Sequence, residues 1–266
     1  MNVALARDYP SAKSTCGIAI MAKASIPGRV KTRLVPLLTF TEAAEFNTAF
    51  LKDVAANIAA AAADIPIQGY AAFGPPETAA FFASTLMSPI GLIEAWHPNF
   101  GDCLFTAVQT MFDRGHSAAI VLNSDSPTLP TSLLIETARL LARPGDCAVL
   151  GPSRDGGYYL LGMKAPHRRL FEDVAWSTER VAGQTRARAT EIGLPVHILP
   201  EWYDIDDPQS LQLLRAELDG KVVVDANLRP HAAVHTGALM RRLLAHTDLE
   251  ARLAIACAPA LQRAAE

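Results

Sequence analysis

The chain has 266 residues, half of them hydrophobic and 19% charged, with 24 basic residues against 27 acidic ones. That is ample apolar material for a sizeable core, because a domain of this length buries roughly 75% of the surface its unfolded chain exposes. The composition excludes an intrinsically disordered chain, and a net charge of −3 gives no sign of a nucleic-acid-binding protein.

Residues 1–15 read as an N-terminal tail that lacks the apolar stretch of a signal peptide. Residues 16–22 (CGIAIMA) predict a buried strand, and residues 41–63 a long helix with Thr41 as its N-cap. Its most apolar part, 54–63, is far short of the roughly 20 residues of a membrane span, so no span is expected and the cytoplasm is the expected location. Strands are predicted at 65–73 and 90–96, each followed by a helix, at 76–86 and 101–114. A strand at 117–122 leads to a helix at 130–143. Strands at 146–150 and 158–163, a helix at 178–192, a strand at 196–199 and a helix at 208–218 follow. This alternation predicts an α/β fold: a mostly parallel sheet with helices on both faces, over residues 16–220. Residues 221–266 read as a helical C-terminal extension, with helices at 232–246 and 248–258. The extension is expected to pack on the core or on a second subunit, as a homodimer.

Four cysteines, Cys16, Cys103, Cys147 and Cys257, have no C-x-x-C spacing, so they outline neither a disulfide framework nor a zinc site. They read as small buried hydrophobes in a reducing compartment. His231 and His235 stand four apart with no third ligand in view and read as a surface pair.

In mostly parallel sheets, ligands bind beyond the carboxyl ends of the strands, which directs attention to the loops after Ala22, Leu122, Leu150 and Leu199. The first loop, AKASIPGRVKTRL, carries Lys23, Arg29, Lys31 and Arg33 and no acid, with Pro27-Gly28 breaking the chain into a turn. Such a loop suits a polyphosphate, since guanidinium and ammonium groups make charge-assisted bonds to phosphate oxygens. It matches neither a Walker A loop nor G-x-G-x-x-G. Its plainer reading is a solvated basic loop. Asp125, in NSDSP, ends the fourth strand before a Pro-marked turn. It is a candidate ligand for a divalent cation, or simply a turn or cap residue. In WYDIDDP, Asp207 before Pro208 reads as a helix N-cap, leaving Asp204 and Asp206 on one face of an extended segment as candidate metal ligands. The DGG of Asp155, Gly156 and Gly157 lets the backbone approach a ligand closely, and is also an ordinary turn.

Taken together, K-x-x-x-P-G-x-V-K-T-R-L, S-D-x-P-x-L, G-P-x-x-D-G-G-Y-Y-L-L-G, W-S-T and D-I-D-x-P resemble the family of domain of unknown function 2064, over about residues 17–215. The resemblance implies a GT-A-type nucleotide-diphospho-sugar transferase: a Rossmann-like three-layer sandwich with a mostly parallel mixed sheet. It places Lys23, Arg29, Lys31 and Arg33 in the phosphate-binding loop, Asp125 on a metal-binding acid and Asp206 on a second one. It places Asp155, Gly156, Gly157 and Tyr158 in an acceptor-side loop, and Trp176, Ser177 and Thr178 in a further pocket segment. The family often reads G-D-L-G-E-R where this chain has Pro98-Asn99-Phe100-Gly101-Asp102-Cys103, a departure that bears on donor or acceptor specificity.

Three functions are compatible with these residues. The first is glycosyl transfer from a nucleotide-diphospho-sugar to a small-molecule acceptor, with magnesium or manganese at Asp125 and with Asp155 orienting the acceptor hydroxyl or acting as base. The second is nucleotidyl transfer, in which a phosphorylated small molecule attacks a nucleoside triphosphate and releases pyrophosphate. The third is nucleotide binding without catalysis.

Overall fold

The computed structural model describes residues 15–86 and 89–258, so the N-terminal tail, apart from Thr15, and the last eight residues lie outside the description. The strands are β1 (Cys16–Ala22), β2 (Ile67–Phe73), β3 (Gly91–Glu94), β4 (Ala118–Leu122), β5 (Ala148–Pro152), β6 (Tyr158–Met163) and β7 (Val196–Ile198). The helices are α1 (Phe40–Ala62), α2 (Ala79–Thr85), α3 (Phe100–Asp113), α4 (Thr131–Leu141), α5 (Val181–Glu191), α6 (Pro208–Leu218), α7 (Val234–His246) and α8 (Leu249–Ala256). Among the described residues, no helix is long and apolar enough to cross a membrane.

One sheet runs in the order β3-β2-β1-β4-β6-β5-β7. β1 pairs in parallel with β2 and β4, whereas β6 is antiparallel to both β4 and β5. The central strands are apolar throughout because both faces are covered. Ile18, Ile20, Ile120 and Leu122 point into one core with α1, α4, α6, α7 and α8. Ala19, Ala119 and Val121, the alternate residues, point into a second core with α3 and part of α5. The result is the three-layer α/β/α sandwich that the alternating pattern predicts.

The register decides where the loops meet. Ile20 of β1 lies beside Leu122 of β4, so both strands end at the same edge. Because β6 runs the other way, with Leu160 opposite Leu122, its first residue, Tyr158, arrives at that edge too.

Helix α1 starts two residues before the position that Thr41 suggests. Thr39 accepts a hydrogen bond from the Glu42 backbone N–H, and the Glu42 carboxylate accepts from the Thr39 backbone N–H. This reciprocal capping box outcompetes Thr41, which has no carboxylate three residues on. Asp207 caps α6 with Pro208 at its first position, as predicted.

The C-terminal helices pack on the core of the same chain. Leu239, Met240, Leu243, Leu249 and Leu253 join the first core. Two polar clamps fix them to α1. Arg252 makes two 2.8 Å bonds to the Glu42 carboxylate, and the guanidinium holds that carboxyl below its usual range. Asp53, 1% exposed, accepts from the backbone N–H groups of His235 and Thr236 at 2.9 and 2.7 Å. These are orphan donors in the first turn of α7, whose own N-cap residue, Ala233, offers no side-chain acceptor. Asp53→Ala should therefore destabilise the protein by about 1–3 kcal/mol for each buried N–H left unpaired. Urea denaturation checks this; a loss below about 0.5 kcal/mol, the range of an ordinary surface substitution, would show that the clamp contributes nothing.

Candidate active site

The loop after β1 holds its shape through its own chemistry. Gly28 takes φ +79° in the turn, and buried Val30 anchors the strand side. Asn47, 4% exposed on α1, donates to the Lys23 carbonyl at 3.0 Å and to the Ser25 hydroxyl at 2.8 Å. Lys31 sits in the left-handed region, at φ 49° and ψ 35°, a conformation that costs a non-glycine residue energy and persists only where surrounding contacts impose it.

Those contacts are at the tip of its side chain. The Lys31 ammonium lies 2.9 Å from Asp125 Oδ1 and 3.0 Å from Asp206 Oδ1, and donates to the Ile205 carbonyl at 2.7 Å. Three acceptors thus take its three protons. The side chain is only 5% exposed, with the ammonium 5.5 Å from the Phe50 ring centroid. Burial by itself would lower the Lys31 pKa, but the charges and hydrogen bonds of Asp125 and Asp206 outweigh it and hold the pKa above the ordinary lysine value. Arg33 adds a more exposed contact to Asp206, at 3.3 Å.

Main-chain bonds bring the two acidic segments together. The Ile205 N–H donates to the Asp125 carbonyl at 3.0 Å, and the Ser126 hydroxyl to the Tyr203 carbonyl at 2.9 Å. The segment 202–206 is thereby strapped along the loop after β4. Asp204 is half-buried between the buried side chains of Tyr203 and Ile205. Burial first, then the charges of Asp155, Asp206 and Asp125, push its carboxyl up to about 7.

Around this centre lies a cavity of about 490 Å³. All four predicted cations line it, with Asn47, Asn123, Ser124, Asp125, Tyr158, Ser177 and Asp206. The side chains of Lys23 and Arg29 have no partner among the described residues, so their charges are available to a ligand. Met21, Leu104 and Val121 contribute apolar wall.

Other predicted residues stand back from the cavity. Asp155 accepts from the Gly157 N–H at 2.9 Å in its turn and acts on the site through its charge on Asp204. Gly156 has φ +86°, and a Cβ there would come 2.1 Å from the Glu179 carbonyl. Gly156 is therefore required by its own φ and by close packing on the Glu179 backbone. Thr178 bonds back to the Ala175 carbonyl and shapes that segment. Trp176 meets Phe100 and Tyr158 edge to face, at 5.5 and 6.5 Å. Asn99 caps α3 by accepting from the Gly101 N–H, and Cys103 is buried against the His97 backbone. The departures from the family pattern thus serve the start of α3.

Among the described residues, no three acidic, His or Cys side chains are already grouped as they would be around an ion. Asp125 and Asp206 do converge on one cationic atom, Lys31 Nζ. Two carboxylates with phosphate oxygens are an ordinary environment for magnesium, so this pair fits such an ion.

Asn47, Phe100 and Asn123 were not singled out from sequence. For Asn47 a signal exists: it interrupts the apolar run Phe46 to Leu51 on a helix face that must be buried. Asn123 and Phe100 have no comparable signal.

Residues 57–178 match the family described as "Uncharacterized protein conserved in bacteria (DUF2064)". The matched region, a little under half of the chain, contains β2 to β6 and Asp125, while the basic loop and the 202–206 segment flank it. A crystal structure from Desulfovibrio desulfuricans G20, provisionally described as a nucleotide-diphospho-sugar transferase, aligns with a TM-score of 0.72 and 25% identity, over 86% of this chain and 95% of that one. The fold is also shared with a CMP:2-keto-3-deoxy-manno-octonic acid synthetase complexed with CTP (TM-score 0.51, 12% identity, 78% of this chain and 100% of that one). It is shared too with a 4-diphosphocytidyl-2C-methyl-D-erythritol synthase from Anaerococcus prevotii DSM 20548 (0.51, 10%, 79% and 98%). No curated protein matches the chain. The family resemblance and the three-layer fold drawn from the motifs are borne out.

The raised Asp204 pKa has a measurable consequence. The folded state binds this proton more tightly than the unfolded chain, so the stability linked to it is full below about pH 4 and is lost as pH rises to about 7. In chelator-containing buffer, Asp204→Asn should flatten the fall in Tm over that window and leave the variant more stable than wild type at pH 8. A variant whose Tm–pH profile overlays the wild type would show that Asp204 carries no such penalty.

Proposed function

We propose that this transferase moves a sugar from a nucleotide-diphospho-sugar to a hydroxyl of a small-molecule acceptor. The observation that carries the reading is the cluster of charge at one edge of the sheet. Among the described residues Lys23 and Arg29 have no side-chain partner there, beside an ammonium shared between two carboxylates. A diphosphate brings several negative charges and needs such cations, and the departing nucleoside diphosphate needs them most as the glycosidic bond breaks. The likeness to the Desulfovibrio protein, at 25% identity, supports the same class of donor.

In this reading Lys23, Arg29, Lys31 and Arg33 bind and orient the diphosphate, and Asn47 keeps their loop in register. Asp125 and Asp206 would hold magnesium or manganese, which when bound neutralises charge on the diphosphate. Tyr158 and Ser177 line the same cavity, where the sugar and acceptor must meet. Asp155 stands back from the cavity lining, so on the acceptor side it would help orient the hydroxyl through its charge and its turn rather than touch it.

A panel of nucleotide-diphospho-sugars, assayed with magnesium or manganese for transfer or hydrolysis, tests the reading. Release of nucleoside diphosphate supports it; pyrophosphate release from a triphosphate, with every diphospho-sugar inert, overturns it in favour of nucleotidyl transfer. On the active donor, Asp125→Asn should lower kcat by about 10²–10³-fold, the effect of removing one group that stabilises developing charge. Asparagine can replace aspartate in a turn or cap, so a wild-type rate and unaltered metal dependence would confine Asp125 to a structural role.

A further inference from the structure

Lys31 occupies the place between the two carboxylates that a divalent ion would use. Its ammonium touches Asp125 and Asp206 within 3.0 Å, and its third proton goes to the Ile205 carbonyl. An ammonium and a divalent ion cannot share that position, because both need the same carboxylate oxygens. Arg33 is the second cation on the pair, at 3.3 Å from Asp206 and far more exposed than Lys31, and the carboxylates of Asp155 and Asp204 stand nearby.

We propose that Lys31 is an internal counter-ion that keeps free metal out, so that the site takes divalent metal and nucleoside diphosphate together as one complex. The inference rests on the donor class proposed above. The diphosphate is what can draw Lys31 away: it offers the ammonium new anionic partners in the same cavity, and the four-carbon stem lets Nζ move without moving the backbone. Arg33, more exposed and 3.3 Å from Asp206, can change partners in the same way. Once Lys31 turns to the phosphates, Asp125 and Asp206 lose the cation they share, Arg33 reaches only Asp206, and a metal can take the vacated place between them. Metal and diphosphate each raise the other's affinity by one common factor, as linkage requires. Lys31 thus acts as a positioning residue for the metal in addition to contacting the diphosphate.

Manganese binding, followed by the electron paramagnetic resonance signal of free Mn²⁺, tests this without any turnover. Wild type without nucleotide should bind Mn²⁺ weakly. Lys31→Met should bind it at least tenfold more tightly, and the gain should vanish in Lys31→Met/Asp125→Asn. Equal Mn²⁺ affinity in wild type and Lys31→Met would overturn the proposal. If Lys31→Met does not fold, wild type decides the matter by itself, titrated with UDP, GDP and CDP in turn. A diphosphate that binds and tightens Mn²⁺ at least tenfold supports the proposal; one that binds and leaves Mn²⁺ affinity unchanged overturns it. Failure of the donor reading looks different: no diphosphate binds, while the Mn²⁺ contrast between wild type and Lys31→Met still stands or falls on its own.

Discussion

One buried ammonium organises the active-site edge of this protein. Lys31 Nζ joins three segments far apart in sequence: the loop after β1, the loop after β4 and the strap at 202–206. A charge this deeply placed would be costly alone, and a carboxylate pair this close would repel. Each makes the other tolerable. The main-chain bond from Ile205 to Asp125 then fixes the spacing, so the arrangement does not depend on side chains alone.

The sheet makes that convergence possible. β1 and β4 are parallel neighbours that end side by side, and the antiparallel β6 returns Tyr158 to the same edge. Covering both faces with helices leaves the strand ends as the place where polar loops can gather without burying unpaired backbone. The C-terminal helices stabilise this frame from behind. Asp53 and Glu42 both belong to α1, the helix whose Asn47 holds the basic loop, so one helix links the tail to the site.

The site combines unequal electrostatic roles. Lys23 and Arg29 are open to a ligand, whereas Lys31 is already committed to Asp125 and Asp206. Four carboxylates share one neighbourhood, and Asp204 bears burial and the charge of the other three as a raised pKa. Such a centre is poised to exchange cations, which is what binding and releasing a charged leaving group demands.

Much of this was legible in the residues alone. The alternation of apolar runs determined an α/β sheet, because strands covered on both faces must be apolar throughout and amphipathic helices cannot be. The acid-free loop at 23–33 and the acids at 125 and 206 marked the edge where the charged cavity lies, since charge concentrated at strand ends is hard to explain by packing. Helix α6 was readable to the residue because Asp207-Pro208 is a local cap; α1 was misread by two residues because Thr39 and Thr41 compete, and only the geometry of Glu42 chooses between them. Tertiary structure alone decided that Lys31 lies between Asp125 and Asp206. It also decided that the tail is clamped to α1 by Asp53 and Glu42. Those are contacts between residues 94 to 210 positions apart. Sequence periodicity reports the face a residue occupies, whereas the partner it meets there is set by the register of the sheet and the packing of its helices.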